Sequence, residues 1–466
     1  MFELHQLTAT QLLDGYRNKA FSPDEVAKDL VAHIERHEGQ INALYAYSPE
    51  RFLDAAKAST ARWSKGESLG ALDGVPVTLK ELVATRGQPV PVGTGLGDQT
   101  PAAADAPPAA RLDEANAVLL GKTTCPDFGM LSSGLSSFHG LTRNPWDLNC
   151  NTGGSSSGAG AAAAAGFGPV HIGTDIGGSV RLPAAWCGVV GFKPTLGRIP
   201  IDPYYVGRCA GPMVRCVEDA ALVMPTLSRT DRRDAMRLPP ERIDWQDLTL
   251  DMNGLRIGVM LDAGCGLALE PNIEAAVTFA AQRLEARGAT LVPVAPVLTR
   301  EMLDGLDRFW QARQQGELEK LSDEERARVL PAIIEWARGA KESSALDVVS
   351  GFQQTMAMRR ESEAIFEQVD FVISPTTPNV SFPAEWASPT DDPRRPFEHI
   401  AYTVPWNMGE QPALSLNAGY SEDEMPIGVQ LIGPRFNDHG VLKLAYQLET
   451  ELALPVRWPK LDTRAA

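Results

Sequence analysis

Apolar positions in the first 65 residues recur at helical spacing. Within Val26–Ile34 an apolar residue returns every four positions and defines one face. Two segments, Thr8–Gln11 and Ser22–Glu25, fit a capping box, and in the second Pro23 takes the first helical position, where its missing N–H costs nothing. The pattern therefore predicts a helical segment over residues 1–65.

Beyond residue 65, short apolar runs alternate with stripes of helical spacing. A run of small residues over 159–166 and a stripe over 273–288 predict helices, as do residues 299–369 and 438–453. Strands that alternate with helices favour an α/β fold of layers (α/β/α), in which a central mixed β-sheet is flanked by helices. The runs that predict its strands are Gly74–Leu79, Ala117–Leu120, Arg256–Leu261, Thr290–Val294, Phe371–Ser374, Ala413–Leu416 and Ile427–Ile432.

The composition narrows the classes of function. The 466 residues are 44% hydrophobic and show no linker between two self-contained patterns, so we expect one large domain over residues 1–466. The formal net charge of -16 argues against binding to nucleic acid or to an anionic membrane. The apolar run Ala161–Ala165 is too short to cross a bilayer.

The N-terminus and the cysteines predict the compartment. Residues 1–6 have neither the basic nor the apolar region of a secretory signal. Six cysteines are scattered without a CxxC pair, and His and Cys nowhere cluster at metal-ligand spacing. We therefore expect free thiols in a reducing cytoplasm, and no metal site.

Two glycine-rich segments and one lysine carry the candidate chemistry. Asn151–Gly158 and Gly173–Arg181 place Ser155 and Ser179, 24 positions apart, each after a Gly-Gly pair. Successive glycines let several backbone N–H groups point at one spot, which would stabilise the oxyanion of a tetrahedral intermediate. Lys80 ends an apolar stretch, and burial would lower its pKa. To act as a base near neutrality, that pKa must fall from about 10.4 to roughly 7, or about 4–5 kcal/mol of differential solvation.

Other motifs in this region are less specific. Gly154–Gly158 matches a nucleophile elbow centred on Ser156, without the apolar strand before it or a well-placed histidine after it. Gly158–Ala163 loosely fits a dinucleotide fingerprint, and Gly121–Thr123 resembles the end of a phosphate-binding loop whose earlier glycine is replaced by Asn116. Taken singly, the glycine-rich turn and the lysine also fit an ordinary turn and a solvated surface charge.

Taken together, the lysine and the two serine segments resemble the amidase signature hydrolases. The resemblance covers most of the chain and is weakest over 230–370. Two positions depart from the usual pattern, Glu81 where an aspartate is usual and Gln411 where a histidine is common. The segments that carry the resemblance are Leu72–Lys80, Leu120–Thr123, Thr142–Trp146, Asn151–Gly158, Gly173–Pro183, Cys187–Thr195, Ser374–Pro378 and Pro426–Gly433.

The resemblance implies acyl transfer through a serine ester, without a cofactor. It makes Ser179 the nucleophile, Ser155 a bridging serine with a cis peptide bond, and Lys80 the base. Backbone N–H groups of the second turn would form the oxyanion hole. The residues implied in supporting roles are Ile176, Gly177, Gly178 and Ser179 at the oxyanion hole, Ser156 and Thr174 as hydrogen-bond partners, Asp175 and Arg181 as a brace across the turn, and Lys122 and Lys193 as structural lysines.

The resemblance also implies how the domain is organised. A helical segment (1–65) precedes a catalytic core (66–215), followed by a variable, substrate-shaping helical region (230–370). Return strands and a last helix occupy 371–466. Aromatic residues near the core would suit an aryl or apolar acyl group, with simple core packing as the alternative. The candidate pocket residues are Phe128, Gly129, Met130, Phe138 and Tyr204, with Trp310 from the variable region.

The expected activity is therefore hydrolysis of a small or medium carboxamide, or of a related hydrazide or carbamate. The expected partners are this small-molecule substrate and water, and the expected assembly is a homodimer. One alternative is the amidase subunit of a tRNA-dependent glutamine amidotransferase, which would need partner subunits. Another is a non-catalytic binding protein on the same fold.

Overall fold

A mixed β-sheet runs through the computed structural model, which describes residues 3–96 and 99–461. Over these residues eleven strands join it, in the order β1-β3-β2-β6-β8-β7-β12-β13-β11-β9-β10, while β4 and β5 form a separate hairpin. The strands are β1 (Leu44–Tyr45), β2 (Pro76–Lys80), β3 (Val118–Thr123), β4 (Leu135–Ser136), β5 (Gly140–Leu141), β6 (Val170–Asp175), β7 (Val190–Lys193), β8 (Cys209–Val214), β9 (Arg256–Val259), β10 (Thr290–Pro293), β11 (Phe371–Pro375), β12 (Ala413–Tyr420) and β13 (Pro426–Ile432).

Helices flank this sheet, as the alternating pattern predicts. The central strands β2, β6, β7, β8 and β13 are buried along their whole length, which requires cover on both faces. The α-helices are α1 (Ala9–Arg17), α2 (Pro23–Ile41), α3 (Pro49–Lys65), α4 (Pro107–Glu114), α5 (Ser157–Ala165), α6 (Arg181–Cys187), α7 (Val217–Leu227), α8 (Pro271–Ala286), α9 (Arg300–Leu318), α10 (Asp323–Arg326), α11 (Pro331–Ala337), α12 (Ala345–Ala364), α13 (Pro405–Met408) and α14 (Asp438–Leu452).

The N-terminal helices begin where the sequence predicts. Thr8 and Ser22 each accept a hydrogen bond from the third helical N–H, and the side chain at that third position returns one, which completes both capping boxes. Val26, Leu30 and Ile34 are fully buried, so the predicted apolar face of α2 packs into the core. Within the described residues, no helix combines the length and the apolar character that a membrane crossing needs.

Parallel pairing in the middle of the sheet assembles the site. β2 pairs in parallel with β3 on one side and with β6 on the other, with Leu79 opposite Ile172. The carboxyl ends of these strands therefore meet at one edge of the sheet. Lys80 is the last residue of β2, and Asp175, the last residue of β6, leads directly into the turn that holds Ser179.

Helix α5 begins directly after the first glycine-rich segment and is entirely buried. It consists of Ser, Gly and Ala, so its backbone can approach neighbouring segments closely. An added Cβ at Gly158 would lie 2.2 Å from the carbonyl oxygen of Ala43 and 2.5 Å from the amide nitrogen of Thr124. The small-residue run is therefore a packing requirement, since larger side chains would displace the serine segment at the start of the helix.

Candidate active site

Lys80 lies at the centre of the site and is completely buried. Its Nζ lies 2.8 Å from Ser155 Oγ and 3.1 Å from Thr174 Oγ1. Burial lowers the pKa of Lys80 to about 8, because the ammonium form loses its hydration. A side chain in this setting can give up its proton near neutral pH and accept one from a neighbouring hydroxyl group.

The Ser155 segment has the backbone conformation implied by the resemblance, a cis peptide bond between Gly154 and Ser155. Space around the two glycines excludes any side chain. A Cβ at Gly154 would lie 2.6 Å from the amide nitrogen of Ser133, and one at Gly153 would lie 2.2 Å from the ring of Trp186. The glycines are thus required by close approach of the surrounding chain.

Asn151 fixes this segment and was not recognised from the sequence. Its Oδ1 accepts hydrogen bonds from the N–H groups of Gly134 and Gly153, at 3.0 and 2.9 Å. Its Nδ2 donates to Ser133 Oγ and to the carbonyl of Ala384, each at 2.8 Å. Its position just before the glycine pair is the signal that could have identified it, because a buried amide side chain can hold several backbone groups at once.

Ser156 joins the two serine segments. Its backbone N–H donates to the carbonyl of Ser179 at 3.2 Å. Its hydroxyl donates to the carbonyl of Thr174 at 3.1 Å and accepts from the N–H of Thr174 at 3.2 Å. The segment that carries Ser155 and the turn that carries Ser179 are therefore held together by backbone geometry and by one buried hydroxyl.

Asp175 and Arg181 form a buried ion pair across the Ser179 turn. The guanidinium Nε and Nη2 atoms each lie 3.0 Å from a carboxylate oxygen of Asp175, and both side chains are fully buried. Burial favours the neutral acid, but the charge and hydrogen bonds of Arg181 outweigh it and hold the pKa of Asp175 well below its usual range. The pair remains charged at physiological pH and constrains the turn between its two members.

Asp175 also corrects one detail of the expected oxyanion hole. The N–H of Gly178 donates to Asp175 Oδ1 at 2.7 Å, and the N–H of Val180 donates to Oδ2 at 3.1 Å. The Gly178 amide is therefore engaged in the ground state, in contrast to its expected role. The donors that remain for an oxyanion are the N–H groups of Ile176, Gly177 and Ser179, which have no acceptor in the described parts of the chain.

Asn407 and Gln430 complete the support of Arg181, and both were missed in the sequence. Arg181 Nη2 donates to Asn407 Oδ1 and Nη1 donates to Gln430 Oε1, each at 2.6 Å. Asn407 Nδ2 donates in turn to Asp175 Oδ1 at 2.8 Å. Both residues lie more than 220 positions beyond the turn, so no local pattern connects them to it.

A cleft that is open to solvent lies at Ser179. Gly129 and Met130 line it, as the sequence analysis expects, and so does Trp310. The lining is apolar except for the serines, the backbone of the turn and one arginine. The lining residues are Gly129, Met130, Ser132, Ile176, Gly177, Ser179, Trp310, Arg313, Phe397 and Ile400.

Three of the expected pocket residues lie elsewhere. Phe128 packs beside the buried cluster that contains Leu131 and Leu318. Phe138 packs edge-on against Tyr45, with ring centroids 5.7 Å apart. Tyr204 is 48% exposed on a loop. None of the three lines the cleft, because each aromatic ring already has another packing environment or faces solvent.

A second cluster, unseen in the sequence, adjoins Lys80. Glu81, Cys125 and His139 bring one possible metal-ligand atom each within 4.8 Å of one another. The expectation that His and Cys nowhere cluster holds for the spacing along the chain but not in space. Glu81 already accepts hydrogen bonds from the N–H groups of Val92 and Gly93, at 2.9 and 2.6 Å, and His139 Nε2 lies 3.3 Å from the same carboxylate. The carboxylate therefore anchors a loop beside β2.

The side-chain ammonium groups of Lys122 and Lys193 both contact backbone carbonyls. Lys122 Nζ donates to the carbonyl of Val83 at 2.8 Å, and Lys193 Nζ donates to the carbonyl of Pro194 at 3.1 Å. Lys122 belongs to β3, so the segment that resembles a phosphate-binding loop is a buried strand end. The six cysteines are all free thiols, as expected.

Relatives match this chain along nearly its whole length. A family model described as Amidase matches residues 25–442. A glutamyl-tRNA(Gln) amidotransferase subunit from Moorella thermoacetica is 34% identical, with 98% of this chain and 99% of the relative aligned. The corresponding protein from Chloroflexus aggregans is 33% identical, with 97% and 98% aligned.

Solved structures agree with this relationship. A bacterial aryl acylamidase of the amidase signature enzymes superposes with a TM-score of 0.87 at 27% identity, covering 96% of each chain. A 6-aminohexanoate cyclic dimer hydrolase, solved with its substrate, superposes with a TM-score of 0.88 at 28% identity, covering 99% of this chain and 100% of the other. Family model, relatives and fold together show that this chain belongs to the amidase signature family of hydrolases.

Proposed function

We propose that this protein is an amidohydrolase that cleaves a linear carboxamide through an acyl-enzyme on Ser179. The observation that carries the proposal is the contact of a fully buried Lys80 Nζ with Ser155 Oγ at 2.8 Å. A lysine whose pKa burial lowers to about 8 is partly neutral at physiological pH and can serve as a base. No histidine is needed for this chemistry.

The proposed reaction begins with two proton transfers. Neutral Lys80 takes the hydroxyl proton of Ser155 while Ser155 takes that of Ser179. Ser179 Oγ then forms a bond to the amide carbon, and the carbonyl oxygen becomes an oxyanion. The N–H groups of Ile176, Gly177 and Ser179 supply the donors that would stabilise it.

Collapse of the tetrahedral intermediate breaks the C–N bond. The proton held by Lys80 returns through Ser155 to the leaving nitrogen, which departs as an amine. Water then attacks the ester carbonyl, gives its proton to Ser155 and on to Lys80, and the carboxylic acid leaves as Ser179 regains its proton. Protons and bonds balance over the cycle, and no cofactor takes part.

A panel of aryl and alkyl amides, hydrazides, carbamates and glutamine, read by mass spectrometry, tests this proposal. Ser179→Ala serves as the inactive control and Ser228→Ala, at the end of α7, as the matched one. We expect the purified chain to release an amine from at least one linear amide and Ser179→Ala to release none. Persistent turnover in Ser179→Ala would reject the role of Ser179.

The curated relatives support a second candidate function, the amidase subunit of a glutamyl-tRNA(Gln) amidotransferase. Such a protein would release ammonia from glutamine and pass it to a partner. Glutamine hydrolysis that appears only with added partner subunits would favour this candidate. Turnover of free amides by the isolated chain would favour the first.

The homodimer also stays a prediction. Light scattering of the purified chain would measure its oligomeric state directly.

A further inference from the structure

Two arginines near the cleft lack a carboxylate partner within 4.0 Å among the described residues. Arg313, on α9, lines the cleft that contains Ser179. Its guanidinium carbon lies 4.2 Å from the ring centroid of Tyr205, which fixes the side chain by stacking. Arg208 lies in the loop before β8, which also contains Tyr205, and its Nη1 donates a hydrogen bond to the carbonyl of Pro203 at 2.9 Å.

The two positive charges interact with each other, and the charge of Arg208 also acts on Lys80. Burial, and after it the charge of Arg313, lowers the pKa of Arg208 to about 10, with the exposed Asp202 opposing the shift. The charge of Arg208 in turn contributes, after burial, to the lowered pKa of Lys80. The Ser179 cleft is thus lined by one cationic side chain and by no carboxylate among the described residues, in a chain whose net charge is -16.

The other residues that line the cleft indicate what kind of molecule would bind beside Arg313. The rest of the cleft lining is mainly apolar, with Met130, Trp310, Phe397 and Ile400 among the described residues, and it includes no carboxylate. An apolar spacer fits such a surface, and an anion fits its single charged side chain. Glutamine fits less well, since its ammonium group would find no acidic partner there.

We propose that the substrate is an amide that carries a carboxylate, separated from the scissile bond by an apolar spacer and recognised by Arg313. Arg208, which does not line the cleft, adds a second positive charge that acts on Arg313 and Lys80. This inference rests on the proposed function and narrows it to one substrate class. An arginine without a counter-ion in an acidic protein is well suited to bind a carboxylate by two parallel hydrogen bonds.

Two matched pairs of amides test the inference. Glutaryl 4-nitroanilide and its neutral analogue 5-oxohexanoyl 4-nitroanilide differ in charge on the acyl side. 4-Acetamidobenzoate and 4-acetamidotoluene differ in charge on the leaving side. We expect the wild-type chain to show at least a tenfold higher kcat/KM for the anion than for the neutral amide in one of the two pairs. The pair that shows this preference tells whether the carboxylate belongs to the acyl part or to the leaving group of the substrate. Equal kcat/KM values in both pairs would overturn the inference.

Arg313→Gln should remove that preference through a rise in KM of about tenfold, with kcat little changed, because the contact exists equally in the ground and transition states. Hydrolysis of the neutral amides should fall by a smaller factor than hydrolysis of the charged ones. Arg308→Gln, on the same helix and outside the cleft, is the matched control and should keep the preference. An equal loss for charged and neutral amides would show that Arg313 only shapes the cleft.

Calorimetric binding to Ser179→Ala separates this inference from the proposed function. The variant cannot form an acyl-enzyme, so affinity is measured without turnover. Tenfold tighter binding of a carboxylated amide than of its neutral analogue supports the inference, even if the wild-type chain hydrolyses neither pair. The lack of hydrolysis would then count against the hydrolase proposal only. Turnover of both pairs together with equal binding would overturn the inference and leave the proposed function intact.

Discussion

The carbon chain and the nitrogen of Lys80 are closed off from solvent, and burial lowers its pKa to about 8. In the proposed mechanism the neutral amine is the reactive form, so kcat/KM should rise about tenfold per pH unit up to roughly pH 8 and then level off. A series of kcat/KM values from pH 6 to 10 measures this. Lys80→Met should lower the rate by about 10²–10⁴-fold and abolish that limb of the profile. An unchanged profile in the variant would contradict the role of Lys80 as base.

The same burial means that Lys80 lowers the stability of the folded chain. Its pKa is lower in the folded than in the unfolded chain, so the unfolded chain binds more protons between about pH 8 and 10.5, and stability rises with pH through that window. At pH 7 the full cost, about 3 kcal/mol, is present. Lys80→Met should therefore raise the free energy of unfolding by up to this amount while it lowers activity. Urea unfolding at pH 7 and at pH 10 measures the gain, which should shrink at the higher pH.

The ion pair of Asp175 and Arg181 is expected to matter more to stability than any surface pair. Asp175→Asn would leave a buried guanidinium without its counter-ion and weaken the acceptor of the Gly178 N–H, at a cost of about 3–5 kcal/mol. Asp370→Asn, which breaks an exposed pair with Arg256, is the matched control and should cost less than about 1 kcal/mol. Equal losses in urea unfolding would show that the buried pair does not brace the turn.

At the scale of elements, local patterns predicted β2, α2 and α5 well because their apolar or small residues form continuous runs. They did not predict β6, β7 and β8 as strands. Strand β8 contains Gly211 and Pro212, residue types that argue against a central strand. In the structure, a Cβ at Gly211 would lie 1.9 Å from the carbonyl of Phe192, so the glycine permits close pairing that only the assembled sheet reveals.

The three residues of the proposed catalytic trio could likewise be identified from the sequence, whereas the residues that support them could not. Lys80 and the two serines lie in segments with their own local signals. Asn407 reaches the site only after the chain has folded back by more than 200 residues, and Arg313 lies in a helical region without any motif. Long-range contacts of single polar side chains leave no periodic trace in a sequence, which is why the support of the turn and the charged end of the cleft emerged from the structure.

Helix α5 offers a test of close packing. Gly158→Ala should destabilise the protein by about 1–3 kcal/mol, since its Cβ would lie 2.2 Å from a backbone oxygen and the neighbouring serine segment must shift. Activity should fall with it. Gly316→Ala is the control on α9, where an added Cβ meets nothing within 4 Å, and should stabilise by about 0.5–1 kcal/mol. The pair is compared by thermal unfolding, and a stabilised Gly158→Ala variant would refute the packing argument.

For the whole molecule, buried titratable groups set the response to acid. Burial lowers the pKa of His171 and of His399 to about 3 and that of His33 to about 4. The unfolded chain would take up protons at these positions from about pH 6.5 downward, so their contribution to stability is lost as the pH falls. His399 contributes strongly because neither ring nitrogen has a hydrogen-bond partner among the described residues.

Three buried acids act in the opposite direction. Burial raises the pKa values of Glu38, Asp307 and Glu449 to about 7, so the folded chain keeps these protons between about pH 4.5 and 7, and stability falls as pH rises through that window. Three groups of each kind nearly cancel between pH 5 and 6.5. Below about pH 4.5 the unfolded acids are protonated too, so the histidine contribution is no longer offset, and the loss of the charged form of Asp175, whose pKa the folded chain holds well below its usual range, adds to it. The urea midpoint should therefore be flat from pH 5 to 6.5 and fall steeply below 4.5. His399→Leu should shift that fall to lower pH, and an unshifted fall would show that His399 does not limit acid stability.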